Sequence, residues 1–240
     1  MATIDQTPTD GPAASRASDK IVEQLRKMII TSEIAPGANV SEAYLAKRLQ
    51  CGRTPLREAI QRLSQEYLIV SEPRRGVTIS DLSLLDFGKL IEALLVVEAT
   101  SVGLAARRVS DDLRRRLEVN VSETEAANNR GDLASVAELD SAFHNMLAQA
   151  TNNHYLTDTI TGLHRAFSRF GYIAWQRNQS AGDSLREHHE ILDAITQRDH
   201  ALARQLTRAH VLAARDRIVE AISGQTMTTY DGSEEPEGYV

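Results

Sequence analysis

The sequence is poor in cysteine, in aromatic residues and in long apolar runs. One cysteine, Cys51, among 240 residues excludes an internal disulfide framework and a zinc finger held by several thiolates. No stretch approaches the roughly 20 continuous apolar residues of a membrane-spanning helix, and the first residues lack the apolar core of a signal peptide. Aromatic residues make up only 5%, which favours aliphatic packing between helices. We therefore expect a cytoplasmic protein without a membrane partner.

The charges that are present are unevenly distributed. The chain has a formal net charge of −6, which taken alone argues against nucleic-acid binding. Residues 1–82, however, hold 11 basic and 10 acidic residues, whereas residues 83–240 hold 16 and 23. Within residues 41–76 there are seven basic and four acidic residues. Because contact with phosphates depends on local rather than total charge, a nucleic-acid-binding element is expected in the N-terminal third.

The segment from Ser41 to Ile79 has the pattern of two short helices followed by a hairpin. Ser41 is a capping residue for the first helix, residues 50–52 break that helix, and Thr54 with Pro55 opens the second. Two helices joined by a short turn containing Gly form the helix-turn-helix plan. The outer face of the second helix carries the residues that would meet base edges and phosphates, namely Arg53, Thr54, Arg57 and Gln61.

A hairpin follows the second helix. Two β-branched runs, 68–70 and 77–79, surround a turn that contains Gly. A hairpin in this place is a wing, and its tip carries Arg74, Arg75 and Gly76. The guanidinium groups can reach phosphate or the minor groove, and Gly lets the backbone approach closely. A surface helix and a loop can each carry two arginines by chance, but the agreement of order, spacing and caps favours DNA binding.

Residues 20–79 resemble the winged helix of the GntR superfamily. The resemblance rests on the RTPLREA motif at 53–59, on Pro-Gly at 36–37 and on the apolar spacing between them. The chain departs from the family pattern at Gly52, where Ser or Thr is usual, and at Tyr67, where Gly is usual. The resemblance implies a regulator that recognises double-stranded operator DNA.

From residue 82 to about 223 the apolar pattern is helical throughout, without a solenoid repeat. The predicted helices are 83–108, 111–128, 132–151, 153–177, 184–197 and 199–222. The fifth of these begins with a capping box formed by Ser184 and Glu187. The predicted fold is therefore mainly α, with a winged helix-turn-helix at 19–80 and an all-helical antiparallel bundle at 83–222. The terminal segments 1–18 and 223–240 are predicted to be disordered, the latter being acidic.

One carboxylate lies on an apolar stripe of the third bundle helix. Asp140 shares this face with His144, one turn further on, and a buried carboxylate is costly unless it is paired or bound to a cation. Inward-facing positions on the fifth and sixth bundle helices bring His188 and His210, whereas His189 lies at the flank of its stripe. Nitrogen and oxygen ligands converging from three helices suit a divalent ion such as Zn or Ni.

The histidines and arginines of the predicted bundle also have a less specific interpretation. A lone histidine on an apolar face is most often a core residue with a satisfied hydrogen bond, and only the convergence with a carboxylate favours a metal. Arg165 and Arg169 lie one turn apart and can bind an anionic effector, or they can belong to a solvated face that pairs with carboxylates. His154, His164 and His200 have no partners at useful spacing.

The region 83–222 resembles the FCD effector domain of the FadR branch of the GntR superfamily. The resemblance rests on Asp140 with His144, on the Glu-His pair at 187–188, and on His210. It implies that the positions of Asp140, His144, His188 and His210 bind metal, as they do in members of that family. An arginine commonly stands four residues before a glutamate of the first bundle helix; if that glutamate is Glu98, Leu94 occupies the position here. The resemblance implies an effector pocket beside the metal.

Three functions are compatible with these patterns. The first is a homodimeric, ligand-responsive transcription regulator that binds a pseudo-palindromic operator and responds to a small molecule with a carboxylate. The second is a metal-dependent hydrolytic enzyme with a fused DNA-binding module, although no general base is evident beside the metal ligands. The third is an architectural DNA-binding protein with a vestigial pocket. We expect the regulator, because a sensor domain joined to a DNA reader explains both halves of the chain.

Overall fold

A computed structural model describes residues 12–71 and 76–223, with the side chains of 12–17 and 71 excepted. The described chain forms two compact units that divide between Ser80 and Asp81. Most of both predicted terminal tails lies outside the described residues. The first helix, however, begins at Pro12, so residues 12–18, predicted as part of the disordered N-terminal segment, are helical.

The first unit has three helices and three short strands in the order of a winged helix. They are α1 (Pro12–Ile30), β1 (Asn39–Val40), α2 (Glu42–Arg48), α3 (Arg53–Gln65), β2 (Ile69–Ser71) and β3 (Val77–Ile79). The strands form an antiparallel sheet with β3 in the middle, in the order β1-β3-β2. The predicted hairpin is confirmed, whereas β1 was not predicted because two residues are too few to show a period.

The core of this unit is aliphatic, and one buried ion pair closes it. Leu25, Leu45 and Leu56 are completely buried. Arg26 of α1 donates two hydrogen bonds of 2.8 Å to the carboxylate of Glu66, directly after α3. A bidentate pair of this kind fixes orientation as well as distance, so the C-terminal end of α3 is held against α1.

The predicted caps of the helix-turn-helix are half confirmed. The Ser41 hydroxyl accepts the N–H of Tyr44 and caps α2 as expected. The cap of α3, in contrast, is Gly52 and not Thr54, and no side chain caps this helix. Pro55 lies in the first turn, as predicted, at the third helical position. Because it has no N–H there, it removes one of the donors that a capping side chain would bind.

The second unit consists of six helices, and its described residues include no strand. They are α4 (Leu84–Arg108), α5 (Asp111–Asn129), α6 (Leu133–Ala150), α7 (His154–Asn178), α8 (Gly182–Thr196) and α9 (His200–Ser223). These bounds agree with the predicted helices to within two residues. None of the helices in the described part of the chain is long and apolar enough to span a membrane.

The interior of the bundle contains two apolar clusters with polar residues between them. One cluster includes Val102 and Phe143, and the other includes Leu94 and Val211. Along α4, Glu98 lies between Leu94 and Val102 and is itself buried. The middle of the bundle is therefore where charged and imidazole side chains are enclosed by apolar packing on both sides.

Candidate metal centre and nucleic-acid interface

The exposed face of α3 carries the residues predicted to bind DNA. Leu56, Ile60 and Leu63 are buried against the core, so the opposite side of the helix faces outward. The exposed residues of that side include the four predicted contacts Arg53, Thr54, Arg57 and Gln61, together with Glu58 and Gln65. Arg57 forms a 3.0 Å ion pair with Glu42 of α2, and its side chain is 69% exposed. At this exposure the pair is weak, so a phosphate can replace Glu42.

Both strands of the wing are described, whereas residues 72–75 at its tip are not. Arg74 and Arg75 lie outside the described residues. Gly76 has a φ of +82°, and a Cβ at this position would lie 2.8 Å from Oδ1 of Asn39. Gly is thus required here by the fold itself, since both the backbone conformation and the approach of β1 exclude a side chain.

Six polar side chains from five helices meet in the middle of the bundle. All are buried: Glu98 (α4), Asp140 and His144 (α6), His164 (α7), His188 (α8) and His210 (α9). The four that the sequence predicted as metal ligands are among them. His189, predicted to lie off the inward stripe, is on the surface, where its Nε2 lies 2.8 Å from Glu125.

The four predicted ligands lie at distances that suit a shared ion. Oδ1 of Asp140 is 3.6 Å from Nε2 of His188 and 4.0 Å from Nε2 of His144. One nitrogen each of His144, His188 and His210 lie within 4.8 Å of one another. Two atoms that each lie about 2.0–2.2 Å from one zinc ion are roughly 3–3.5 Å apart. The separations are thus too long for hydrogen bonds and close to those of ligands around one ion.

Burial favours the neutral form of two of the predicted ligand imidazoles, those of His188 and His144. Nε2 of His188 has no hydrogen-bond partner, and the ring stacks on Phe143 with 4.2 Å between centroids. Burial, followed by the neighbouring His210 and His144, lowers the pKa of His188 well below its usual range. Burial and His164 also lower the pKa of His144. A neutral imidazole presents a lone pair to a cation, so the donor set fits a divalent metal.

Two further buried residues, Glu98 and His164, lie next to His144. Oε1 of Glu98 is 2.5 Å from Nδ1 of His144 and 2.8 Å from Nε2 of His164. The two imidazole rings stack with 4.0 Å between centroids. Burial alone would raise the pKa of Glu98, but the charges and hydrogen bonds of His164 and His144 lower it well below its usual range. Glu98 in turn raises the pKa of His164 against the effect of burial.

The expectation that His164 has no useful partner was therefore wrong. Its partners, Glu98 and His144, belong to other helices, and spacing within α7 contains no sign of them. The only available signal was a glutamate on an otherwise apolar face of α4. Such a residue needs a cationic or hydrogen-bonding neighbour from another element.

A similar arrangement lies behind His210. Its Nδ1 is 2.7 Å from Oε2 of Glu187, and Arg217 donates hydrogen bonds of 2.7 and 2.9 Å to the same carboxylate. Burial opposes the charge of Glu187, but the hydrogen bonds from Arg217 and His210 lower its pKa to about 2.

The predicted capping box of Ser184 and Glu187 is wrong. The cap of α8 is Ala181, and Ser184 accepts a hydrogen bond from Trp175 instead.

One cavity adjoins two of the predicted ligands, and a second cavity shares a wall with the first. A narrow one of about 10 Å³ touches Asp140 and His210, which is room for about one water molecule. A larger one of about 320 Å³ lies where α7 meets α8. The residues that line both are Ala174, Trp175, Ser184 and Arg217.

The two arginines predicted to bind an effector have different surroundings. Arg165 is half-buried, and neither it nor Arg169 lines either of these cavities. Arg169 is buried, and burial lowers its pKa to about 10 although the nearby Asp81 opposes the shift. The cation that lines both cavities is Arg217, which sequence reasoning missed because its charge pairs with Glu187 of another helix.

Both units correspond to known domains. Residues 17–79 match the model of the bacterial regulatory proteins of the gntR family, and residues 89–213 match the FCD domain. The chain belongs to the GntR family. The FadR-like arrangement of a GntR winged helix followed by an FCD domain, which the sequence motifs implied, is confirmed.

Individual relatives agree with this assignment. A GntR-type relative from Streptomyces ambofaciens, an HTH-type transcriptional regulator in an unstable DNA locus, is 32% identical over 196 residues, 81% of this chain and 82% of its own. The HTH-type transcriptional repressor RspR of Escherichia coli is 29% identical over 192 residues, 80% and 84% of the two chains. A crystal structure of a GntR transcriptional regulator from Rhodococcus sp. RHA1 has a TM-score of 0.71 at 25% identity, covering 86% of this chain and 99% of that one.

These GntR relatives are transcription regulators and not enzymes. The chain is accordingly a DNA-binding transcription regulator, and the hypothesis of a metal-dependent hydrolase is set aside. The same fold recurs at lower identity in Escherichia coli McbR/YncC, with a TM-score of 0.76 at 17% identity over 86% of this chain and 98% of that one.

Proposed function

We propose that this regulator is a cytoplasmic homodimer whose helical domain binds one divalent metal ion, Zn²⁺ or Ni²⁺, together with a small carboxylate effector. The observation that carries the proposal is the buried Nε2 of His188, which has no hydrogen-bond partner and faces Asp140 at 3.6 Å. A buried nitrogen and a buried carboxylate without a direct hydrogen bond are costly unless a third group satisfies both.

Asp140, His144, His188 and His210 would hold the ion. The carboxylate of Asp140 neutralises one of the two charges of the ion and the three neutral imidazoles neutralise none, so the bound site would keep a net positive charge. The ion would supply a Lewis-acidic point for an anionic effector. Arg217 lines the cavity beside Asp140 and adds a cation within the same space. Positive charge from two sources favours a carboxylate over a neutral ligand.

Effector binding requires the bundle to move. The cavity beside Asp140 holds about 10 Å³, which is too small for an organic acid, whereas the adjoining cavity holds about 320 Å³. An effector that joins the two spaces must displace side chains at their shared wall, above all Trp175 and Arg217. Arg165 and Arg169 remain predicted effector contacts for a bundle rearranged in this way.

On DNA, the exposed face of α3 would enter the major groove, and the wing would contact the backbone or the minor groove. The proposed contacts are Arg53, Thr54, Arg57, Gln61, Arg74, Arg75 and Gly76. One winged helix reads few base pairs, so useful specificity requires two half-sites related by the two-fold axis of a homodimer.

The proposal is tested by operator binding with and without ligands. Fluorescence anisotropy with DNA from the region upstream of the protein's own gene should give a saturable curve that competitor DNA of unrelated sequence does not abolish. Thermal-shift screening of a set of organic acids, with and without Zn²⁺, should identify carboxylates that stabilise the protein only when Zn²⁺ is present.

The carboxylate that binds best should change operator affinity by roughly 5–150-fold, the usual range of coupling between two sites. Operator affinity that no metal and no acid changes would instead indicate an architectural DNA-binding protein with a vestigial pocket.

A further inference from the structure

The proposed metal ligands His144 and His210 each have a carboxylate next to Nδ1. Nδ1 of His144 is 2.5 Å from Glu98, and Nδ1 of His210 is 2.7 Å from Glu187. Each carboxylate has a second nitrogen partner as well: His164 at 2.8 Å for Glu98, and Arg217 at 2.7 Å for Glu187. The two halves of the site thus repeat one arrangement, in which a ligand imidazole, a carboxylate and a further cationic or imidazole group follow one another.

The distances distinguish the role of these carboxylates from that of Asp140. Asp140 stands 3.6 Å from the nearest imidazole nitrogen, whereas Glu98 stands 2.5 and 2.8 Å from two of them. Ligand atoms around one zinc ion are about 3–3.5 Å apart, and 2.5–2.8 Å is the length of a charge-assisted hydrogen bond. Glu98 with His144 and His164 therefore has the spacing of hydrogen-bond partners and not of a second metal site.

An ionised carboxylate only accepts hydrogen bonds, so its position selects the tautomer of the imidazole in front of it. With the proton on Nδ1, the lone pair of Nε2 is free for a cation in both histidines, and in His144 this nitrogen lies 4.0 Å from Oδ1 of Asp140. In His144 the ring is turned from the ideal hydrogen-bond direction, and its Nδ1 counts among the buried nitrogens without an aligned partner.

We propose that Glu98 and Glu187 are positioning residues of the metal site: each accepts the Nδ1 proton of one ligand histidine, His144 or His210, and directs its Nε2 at the ion. Through Glu98 the helix α4, which supplies no ligand, becomes part of the metal site. The inference rests on the proposed metal binding by Asp140 and the three histidines.

The chain offers a matched control. Glu125 lies 2.8 Å from Nε2 of His189, which is also a Glu–His pair at hydrogen-bond distance, but on the surface and away from the ligands. Glu125→Gln therefore removes a comparable contact without touching the proposed site. Any effect that Glu98→Gln or Glu187→Gln shares with this control reflects charge or stability in general.

The test is a competition titration of full-length, metal-stripped protein with Zn²⁺ against a chromophoric chelator. We expect Glu98→Gln and Glu187→Gln each to weaken Zn²⁺ binding by about 10–100-fold, as loss of such partners does in other zinc sites, and Glu125→Gln to leave it unchanged. A second readout is the absorption spectrum of the Co²⁺-substituted protein, which reports ligand orientation. It should change in both site variants and not in the control.

Wild-type Zn²⁺ affinity together with a wild-type Co²⁺ spectrum in both site variants would overturn the inference while leaving the metal site itself intact. Two Zn²⁺ per chain, with Glu98→Gln losing one, would overturn it in a different way by making Glu98 a ligand. Failure of the wild type to bind Zn²⁺ or Co²⁺ would contradict the proposed function and the inference with it. If Glu98→Gln does not fold in the metal-stripped state, Glu187→Gln, at a less buried carboxylate, decides the question.

Discussion

Tyr67 has a backbone conformation that residues with a side chain rarely adopt. Its φ is +60°, and it stands between α3 and β2, where the GntR pattern usually has Gly. The side chain is 73% exposed, so its packing offsets little of the strain. The departure from the family motif is thus a local cost that the chain tolerates.

Replacing Tyr67 with Gly should therefore stabilise the winged helix. We expect a gain of about 0.5–1 kcal/mol, because a left-handed conformation costs a non-Gly residue roughly 1–2 kcal/mol and the greater freedom of Gly in the unfolded chain returns part of that. The measurement is the urea midpoint of the wild type and the variant. Tyr67→Ala is the control: it keeps the positive φ and should show no gain. Equal effects of the two substitutions would show that the backbone conformation is not the cause.

At the level of single residues, the sequence predicted the four side chains that we propose as metal ligands, but it missed residues next to them that interact through carboxylates of other helices. Asp140, His144, His188 and His210 were recognisable because each lies on the apolar stripe of its own helix. His164 and Arg217 were not, since their roles depend on carboxylates of other helices. Periodicity reports which face a residue is on, but it does not report what stands opposite.

At the scale of elements, the boundaries of the bundle helices were predicted to within two residues, but the one cap predicted in the bundle, that of α8, was wrong. Ser184 and Glu187 have the spacing of a capping box, yet they bind Trp175, His210 and Arg217. A buried site that needs both side chains outweighs the cap, which stabilises a helix by only about 1 kcal/mol. Local patterns thus fail where tertiary contacts compete for the same groups.

The exposed face of α3 should carry the DNA contact. Arg53→Ala combined with Arg57→Ala is expected to abolish specific operator binding, and Arg57→Ala alone should weaken it by about 1–3 kcal/mol if the guanidinium reads a base edge. Gel-shift titration of cognate and unrelated duplexes distinguishes this from phosphate contact, which would weaken both alike.

The matched control for α3 is Arg62→Ala. This arginine is on the same helix, exposed and paired with Asp19 of α1 at 2.6 Å. Because it stands five residues after Arg57, it points to a different side of the helix and should not affect DNA binding. An operator affinity that survives the double substitution would exclude α3 as the recognition helix.

At the scale of the whole molecule, we expect the helical domain to dimerise. On α4, Leu85 and Val96 are 73% and 72% exposed, and their spacing of 11 residues places them on one face. Apolar side chains exposed on one face of a long helix favour a second copy of the chain as the partner. Light scattering at micromolar concentration should give the mass of a dimer.

Val96→Asp should shift the mass measured by light scattering towards the monomer, because a carboxylate at the interface would be desolvated without a partner. Val119→Asp, at another exposed valine with 56% exposure on α5, serves as the control and should leave the dimer intact. A wild-type monomer, with operator present as well as absent, would contradict a dimeric regulator.

We propose that a metal site in the helical domain governs DNA binding by the GntR winged helix. Elemental analysis of the purified protein and its histidine variants, after reconstitution with Zn²⁺ and removal of excess metal, tests this site directly. We expect one ion per chain in the wild type and in His189→Ala, and almost none in His188→Ala or His210→Ala. A wild type without metal, or metal lost from His189→Ala and retained by His188→Ala, would exclude the proposed site.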